Sequence, residues 1–332
     1  MSRLKGTTVR KMLRWGASLG VTAVCLYYVI SRIELHEVVR ILSQADVQLI
    51  IVALGLYFGV FLILVRMWQV LLDTFDIRCD FWQLLILYFI SFSAGFFLPS
   101  TVGSFVPVLY LHKKGYPLVR LTFVTSLNIV FQIIPPIAFS LVAVFTLPPL
   151  SIFRPTVILI ILVMVGLGGI LALLYFFRQD VAARLKSLLD KLLFKWGKRF
   201  KSIDAETGQS YIGLHRLVDW RVIWAVFLAF AATTVGCTAF YLLALSVGTR
   251  LSLWEIAVCL SIMTIVTMLP VSVGGIGLRE GSLVFLFTLL GETSEKAVVL
   301  SLLLFINITF WRLVGLPLWL RFSSPLGRQS LQ

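Results

Sequence analysis

The sequence predicts an all-α polytopic membrane protein of about six membrane crossings plus two oppositely oriented re-entrant helical hairpins, arranged as an inverted repeat. Three observations predict it. Of 332 residues, 59% are apolar and 13% are charged, where a water-soluble domain carries about 25% charged residues. The apolar residues form charge-free runs at 15–31, 47–65, 81–111, 121–153, 155–177, 222–249, 256–278 and 297–311. These about eight segments are mostly long enough for the roughly 20-residue helix that a bilayer requires. Finally, two of the runs are interrupted by Pro and Gly at matching places, and the basic segments between runs report sidedness, because Lys and Arg accumulate in cytoplasmic loops.

At the N-terminus, Arg3, Lys5, Arg10, Lys11 and Arg14 precede the run Trp15–Ser31, and no small-x-small cleavage signal follows. This run reads as an uncleaved first crossing with a cytoplasmic N-terminus. The next loop sets Glu34, Glu37 and Asp46 against Arg32 and Arg40, which fits the outer side. Val47–Leu72 then returns, placing Arg66 and Trp68 near the inner interface. The run Phe81–Leu111 is broken at Pro99, Gly103 and Pro107 and leads into His112, Lys113, Lys114 and Arg120. A single crossing would export these cations, so a hairpin is expected that enters and leaves on the cytoplasmic side and turns near Pro99–Gly103.

Leu121–Phe145 is expected to cross outward and Val157–Phe177 to cross back. The segment 178–221 is a basic cytoplasmic linker whose apolar residues at 181, 185, 188, 189, 192, 193 and 196 recur at helical spacing. It should lie in the interface, with Lys186, Lys191, Lys195, Lys198 and Arg199 against an anionic lipid surface. Val222–Val247 then crosses outward, and 256–291 forms a second hairpin, from the outside, broken at Pro270, Gly274, Gly275 and Gly277. Ala297–Leu320 is the last crossing, leaving a cytoplasmic C-terminus. The expected organisation is a single integral membrane domain, 1–332, in the cytoplasmic (inner) cell membrane. Its repeat units are 47–147, with hairpin 81–111, and 222–320, with hairpin 256–291.

The two breaks match: Leu98-Pro99-Ser100-Thr101-Val102-Gly103-Ser104 and Leu269-Pro270-Val271-Ser272-Val273-Gly274-Gly275 both read L-P-x-[ST]-V-G-[SG]. Asn128 in Leu127–Phe131 is echoed by Asn307 in Ile306–Phe310, each on the crossing after its hairpin. With opposite sidedness this is the construction of transporters in which broken helices meet near the midplane and form the substrate site.

Charges at membrane depth are costly and face a cavity or a partner. Arg279 and Glu280 follow the glycine-rich turn, where a helix start would aim free N–H groups at an anion. Arg279 is the candidate to grip a lipid phosphate, with Glu280 orienting it or contacting an amine, and a purely structural Arg–Glu pair is the alternative. Pro99, Gly103, Pro270, Gly274, Gly275 and Gly277 would shape the two hairpins around the substrate. Arg312 either binds or snorkels toward the cytoplasmic face. Asn128 and Asn307 either bridge helices or cap hairpin ends.

The four cysteines lack pairing or metal-ligand spacing, and the three histidines, His36, His112 and His215, are far apart. No metal site, cofactor or nucleotide motif is expected. The net charge of +14 is a matter of membrane orientation, and nucleic-acid binding is not expected, since no folded basic module is present.

The stretch Leu269-Pro-Val-Ser-Val-Gly-Gly-Ile-Gly-Leu-Arg-Glu-Gly281, followed by Leu289-Leu-Gly291 and Ser294-Glu-Lys-Ala297, resembles the signature of the lysylphosphatidylglycerol synthase transmembrane region, a family of flippase-like membrane proteins. Arg66 and Trp68 resemble its early R-x-W element. The resemblance implies lipid or polyprenyl-linked glycan handling, with Pro270, Gly274, Gly275, Gly277, Arg279, Glu280 and Gly281 matching the motif. The aminoacyl-transferase domain that accompanies this module in some proteins is absent. The first half departs: the family's Gly-Gly or Gly-Asp step leading to an Arg is replaced by the uncharged Ser104–Leu111, and its acidic–Arg pair by Thr125-Ser126-Leu127-Asn128.

The leading expectation is a flippase-like transporter, and not an enzyme, that moves an anionic phospholipid or polyprenyl-linked lipid between leaflets without hydrolysing a nucleotide. An integral-membrane enzyme acting on lipid headgroups or lipid-linked glycans would need Glu280 or Glu255 as its acid. A scaffold for a separately encoded lipid synthase is the third class.

Overall fold

The computed structural model describes residues 33–94, 105–155, 219–268 and 277–323, together with Tyr27, Ser31 and Gly103. The expected crossing 15–31, apart from Tyr27 and Ser31, and the expected crossing 157–177 therefore lie outside the described residues. So do Lys186, Lys191, Lys195, Lys198 and Arg199 of the linker, and Pro99, Pro270, Gly274 and Gly275 of the hairpin tips. All regular structure among the described residues is helical.

The short helix α1, Leu35–Ser43, is followed by α2, Val47–Thr74, and then by α3, Phe81–Ala94, and α4, Val106–Lys113. Next come α5, Leu118–Thr146, and a 3₁₀ turn, Pro148–Phe153. The second half consists of α6, Trp220–Ser246, α7, Leu253–Met268, α8, Leu278–Leu289, and α9, Ser294–Ser323. Four of them, α2, α5, α6 and α9, are long and apolar enough to cross a membrane. Each matches an expected crossing, lengthened by a turn or less at most ends.

The helix ends follow local rules. Asp46 starts α2 by accepting from the backbone N–H groups of Gln48 and Leu49, and Asp219 starts α6 by accepting from that of Arg221. Ser252 and Glu255 form a capping box on α7: the Ser252 N–H donates to the Glu255 carboxylate at 2.7 Å, and the Glu255 N–H donates to Ser252 Oγ at 3.3 Å. That cap occupies the Glu255 carboxylate. The run 121–153 does not stay helical to its end, because Pro148 and Pro149 supply no N–H to continue it. Arg154 turns back to donate to the Val144 and Phe145 carbonyls, both at 3.0 Å, satisfying the last carbonyls of α5. Helix α1 was not foreseen: its charges, Glu37 and Arg40, mark the loop as outer, but its apolar residues at 35, 38, 39 and 42 also recur at helical spacing.

Packing joins the halves. Helices α2 and α6 lie antiparallel along their length, with the Asp46 N–H bonded to the Ser246 carbonyl at one end and Asp73 near Arg221 at the other. Close approach is possible because α6 turns a seam of buried small residues, Ala225, Ala229, Ala232, Gly236 and Ala239, away from lipid. The next strongest pairings are α3 with α9 and α5 with α7. Exchanging each first-half helix for its second-half counterpart turns one of these two pairings into the other.

The two interrupted segments fold back on themselves. In the first, Gln83 reaches Tyr110 at 3.5 Å and Ser91 donates to the Gly103 carbonyl at 2.8 Å, so α3 and α4 run side by side. Tyr116 Oη then donates to the Arg78 carbonyl at 2.9 Å, closing the segment's two ends together. In the second, α7 packs on α8, and Glu292 accepts the Arg250 N–H. Lys296 Nζ ties both to the bundle end by donating to Glu292 and to the Gly248 carbonyl, each at 2.8 Å.

Burial works against ionisation of the Glu292 carboxyl, but the Arg250 N–H and the Lys296 side chain outweigh it and hold its pKa below the usual 4.5. A carboxylate with a lowered folded-state pKa contributes stability above the unfolded value and loses it as pH falls through the folded one. The solubilised protein is therefore expected to melt at lower temperature below about pH 4.5, and Glu292→Gln to flatten part of that slope at a cost of less than about 1 kcal/mol at neutral pH. An unchanged acid slope in the variant would show that this tie contributes nothing.

Candidate functional site

The candidate site is built at the root of α8. Gly277, the residue before the helix, has φ of 83°, a left-handed conformation that costs any side-chain-bearing residue about 1–2 kcal/mol. This turn brings the Gly277 N–H onto Glu280 Oε2 at 2.7 Å. The other carboxylate oxygen, Oε1, accepts from Arg279 Nε at 3.0 Å, from Arg279 Nη2 at 2.8 Å and from Ser301 Oγ of α9 at 3.0 Å. Arg279 Nε also lies 3.2 Å from Ser301 Oγ, and its guanidinium sits over the Phe305 ring, 5.3 Å from the centroid.

The depth follows from helix length. Helix α8 has 12 residues, about 18 Å at ~1.5 Å per residue, and its far end lies beside Glu292 at the bundle end. Arg279 is therefore roughly half-way through a hydrocarbon layer of about 30 Å. Glu280 accepts from four donors, the Gly277 N–H, Arg279 Nε and Nη2, and Ser301 Oγ.

Arg312 belongs to the same neighbourhood. It is partly buried on α9, its guanidinium stacks over Phe92 at 5.3 Å, and it lies within electrostatic reach of Arg279. Tyr57 of α2 is within the same reach. Phe92 belongs to an aromatic cluster of Phe58, Phe61, Tyr88, Phe89 and Trp311, with ring centroids 5.0 to 6.4 Å apart, that joins α2, α3 and α9.

The sequence offers Asn128 and Asn307 either as bridges between helices or as caps of hairpin ends. Both are buried, and Asn128 Oδ1 and both side-chain polar atoms of Asn307 have no hydrogen-bond partner. Each unpaired buried amide costs about 1–3 kcal/mol. Gly103 is buried beside Ser91, as a narrow hairpin requires. Among the described residues, no three or more His, Cys, Asp or Glu side chains gather as a metal site.

Ser301, Phe305 and Tyr57 escaped sequence reasoning. Ser301 lies 21 positions beyond Glu280, and a serine on an apolar helix carries no signal of which neighbour it faces.

Residues 15–316 match the family described as the lysylphosphatidylglycerol synthase TM region. The chain belongs to that family. This membership agrees with the resemblance carried by residues 269–297, and it covers the divergent first half as well. A curated relative in the lysylphosphatidylglycerol synthase TM region family, a UPF0104 membrane protein of Methanothermobacter thermautotrophicus, is 24% identical over 256 residues, covering 70% of this chain and 72% of that protein. No solved structure matches this member of the family.

Proposed function

We propose that the protein is a flippase-like transporter that carries a lipid with an anionic phosphate, a phospholipid or a polyprenyl-linked lipid, between leaflets without hydrolysing a nucleotide. The observation that carries this reading is the Arg279 guanidinium at the root of α8, held at membrane depth by Glu280 and Ser301. A charge at that depth is costly and marks a site or a path, and a phosphate passing between leaflets is the anion such a guanidinium would meet. Membership in the lysylphosphatidylglycerol synthase TM region family supports a lipid-related role.

The packing supports a transport architecture. In this reading 47–147 and 222–320 are inverted repeats, α3–α4 and α7–α8 are the two re-entrant hairpins, and the pairings α2–α6, α3–α9 and α5–α7 are what a two-fold axis in the membrane plane produces. The buried amides of Asn128 and Asn307, at corresponding places on α5 and α9, give the path polar groups that a moving headgroup can engage. Sidedness follows from charge. The bundle end with Glu34, Glu37, Asp46, Glu255, Glu292 and Glu295 faces out, and the end with Arg78, Lys113, Lys114, Arg120 and Arg221 faces the cytoplasm of an inner cell membrane, as do both termini.

The test is leaflet translocation of labelled phospholipids and polyprenyl phosphates in proteoliposomes. Wild-type protein is expected to move at least one phosphate-bearing lipid faster than empty vesicles do. No acceleration of any of them by folded protein would overturn the reading.

A further inference from the structure

A second polar site lies at the opposite end of the bundle from Glu292, outside the Arg279 cluster. There the last turns of α2, the connector 75–80 and the first turn of α6 enclose a cleft of about 790 Å³. Three cations, Arg66, Arg78 and Arg221, and three carboxylates, Asp73, Asp76 and Asp80, line it. All three arginines lie close enough to act electrostatically on the Asp73 carboxylate.

Hydrogen bonds fix the walls of the cleft. Arg66 Nη1 donates to Gln69 Oε1 at 2.6 Å, and Gln69 in turn donates to the Cys79 carbonyl at 3.0 Å, which pins the connector to α2. Asp80 gives one oxygen to the Trp82 N–H at 3.0 Å. Among the described residues, no ion pair of 4.0 Å or less joins Arg66, Arg78 or Arg221 to Asp73 or Asp80.

The wall nearest lipid shows what kind of molecule enters. Trp220 and Trp224 line the cleft, and with Ile223 and Phe227 they form an outward stripe on α6 at spacings of three and four residues, exposed by 69%, 43%, 72% and 56% respectively. Tryptophan on such a stripe marks the membrane–water interface. The cleft therefore opens sideways onto the bilayer where headgroups end and acyl chains begin. A soluble ion would use the charges and leave the stripe unused, whereas an amphiphile uses both.

We infer that this cleft binds the headgroup of a zwitterionic phospholipid, one carrying both a phosphate and an ammonium group, with its acyl chains along the Trp220–Phe227 face of α6. A purely anionic headgroup would meet the Asp73 and Asp80 carboxylates, and a purely cationic one three guanidiniums. A phosphate directed to the arginines with an ammonium directed to Asp73 satisfies both sets. The inference needs only a membrane-embedded chain and does not depend on translocation.

The experiment uses the full-length protein in detergent micelles and follows tryptophan fluorescence as brominated phosphatidylethanolamine or brominated phosphatidylglycerol is added. The wild type is expected to need roughly tenfold less phosphatidylethanolamine for half quenching, a difference of about 1.4 kcal/mol. The preference should fall below about threefold in Asp73→Asn, return in Asp73→Glu, and vanish when Trp220 and Trp224 are both replaced by Phe. Equal or stronger quenching by phosphatidylglycerol would overturn the assignment, as would a preference that survives Asp73→Asn. Displacement of the lipid by glycerophosphoethanolamine or inorganic phosphate at equal concentration would also overturn it, by showing a site for a soluble phosphate. Loss of translocation with this preference intact would count against the transport reading alone.

Discussion

Replacing Arg279 with Ala is expected to lower lipid translocation in proteoliposomes by about a hundredfold or more, a loss of roughly 3 kcal/mol or more of stabilisation for the moving phosphate. Arg279 presents a planar donor fork at mid-membrane, held in place through its Nε and Nη2 bonds to Glu280 and its stacking on Phe305. Arg279→Lys keeps the charge but loses the fork and should retain only part of the rate. Arg312→Ala, which removes the second cation of the cluster, should cost less than Arg279→Ala, because Arg312 lies further along α9 from the carboxylate. Stability needs separating from transport here. Removing Arg279 leaves the Glu280 carboxylate with only the Gly277 and Ser301 donors, and breaking a buried pair costs about 3–5 kcal/mol. The double variant Arg279→Met with Glu280→Met removes both charges, so it should regain thermal stability and stay inactive. Recovered transport in that double variant would make the pair purely structural.

Gly315→Leu is expected to prevent accumulation of folded protein. Gly315 is where α9 crosses α3 most closely: a Cβ placed there would lie 2.3 Å from Ser93 Oγ, 2.7 Å from the Phe89 carbonyl oxygen and 3.1 Å from the Phe89 carbonyl carbon. The Ser93 hydroxyl is itself committed, donating to the Arg312 carbonyl at 2.7 Å. The backbone of α3 has no room to retreat, because its other face carries Leu84, Leu87 and Ile90 in the core. Even Gly315→Ala should cost about 1–3 kcal/mol through overpacking. Gly59→Ala, on α2 where an added Cβ meets nothing within 4 Å, is the matched control and should melt as the wild type does. Equal melting temperatures for Gly315→Ala and Gly59→Ala would show that the crossing is looser than this geometry.

Much of the architecture was legible because lipid as a solvent leaves few options. Backbone groups in hydrocarbon must be bonded within their own segment, so charge-free runs become helices, and their ends sit where Asp46, Asp219 or the Ser252–Glu255 box can cap them. The repeated L-P-x-[ST]-V-G motif marks both interruptions, and α3–α4 and α7–α8 flank them. The reading was weaker where polar and apolar signals overlap. Helix α1 was hidden because its charges drew attention to sidedness, and nothing in the spacing of Asn128 and Asn307 names a partner for either amide.

By itself the sequence determined that this is a membrane protein of the lysylphosphatidylglycerol synthase TM region family, where its four long apolar helices lie, and that Arg279 and Glu280 follow the second glycine-rich break. Tertiary structure decided who meets whom: Ser301 and Phe305 around Arg279, Arg312 over the Phe92 ring, Gly315 against the α3 backbone, and two arginines of α2 and α6 near one aspartate in a cleft at the bundle end. The physical reason is that hydropathy measures only transfer out of water. Leu, Ile, Val and Phe are nearly equivalent by that measure, so it gives depth in the membrane without giving a neighbour. Neighbours are chosen by shape and by the need to pair a few costly polar groups, and that choice exists only once the helices are packed.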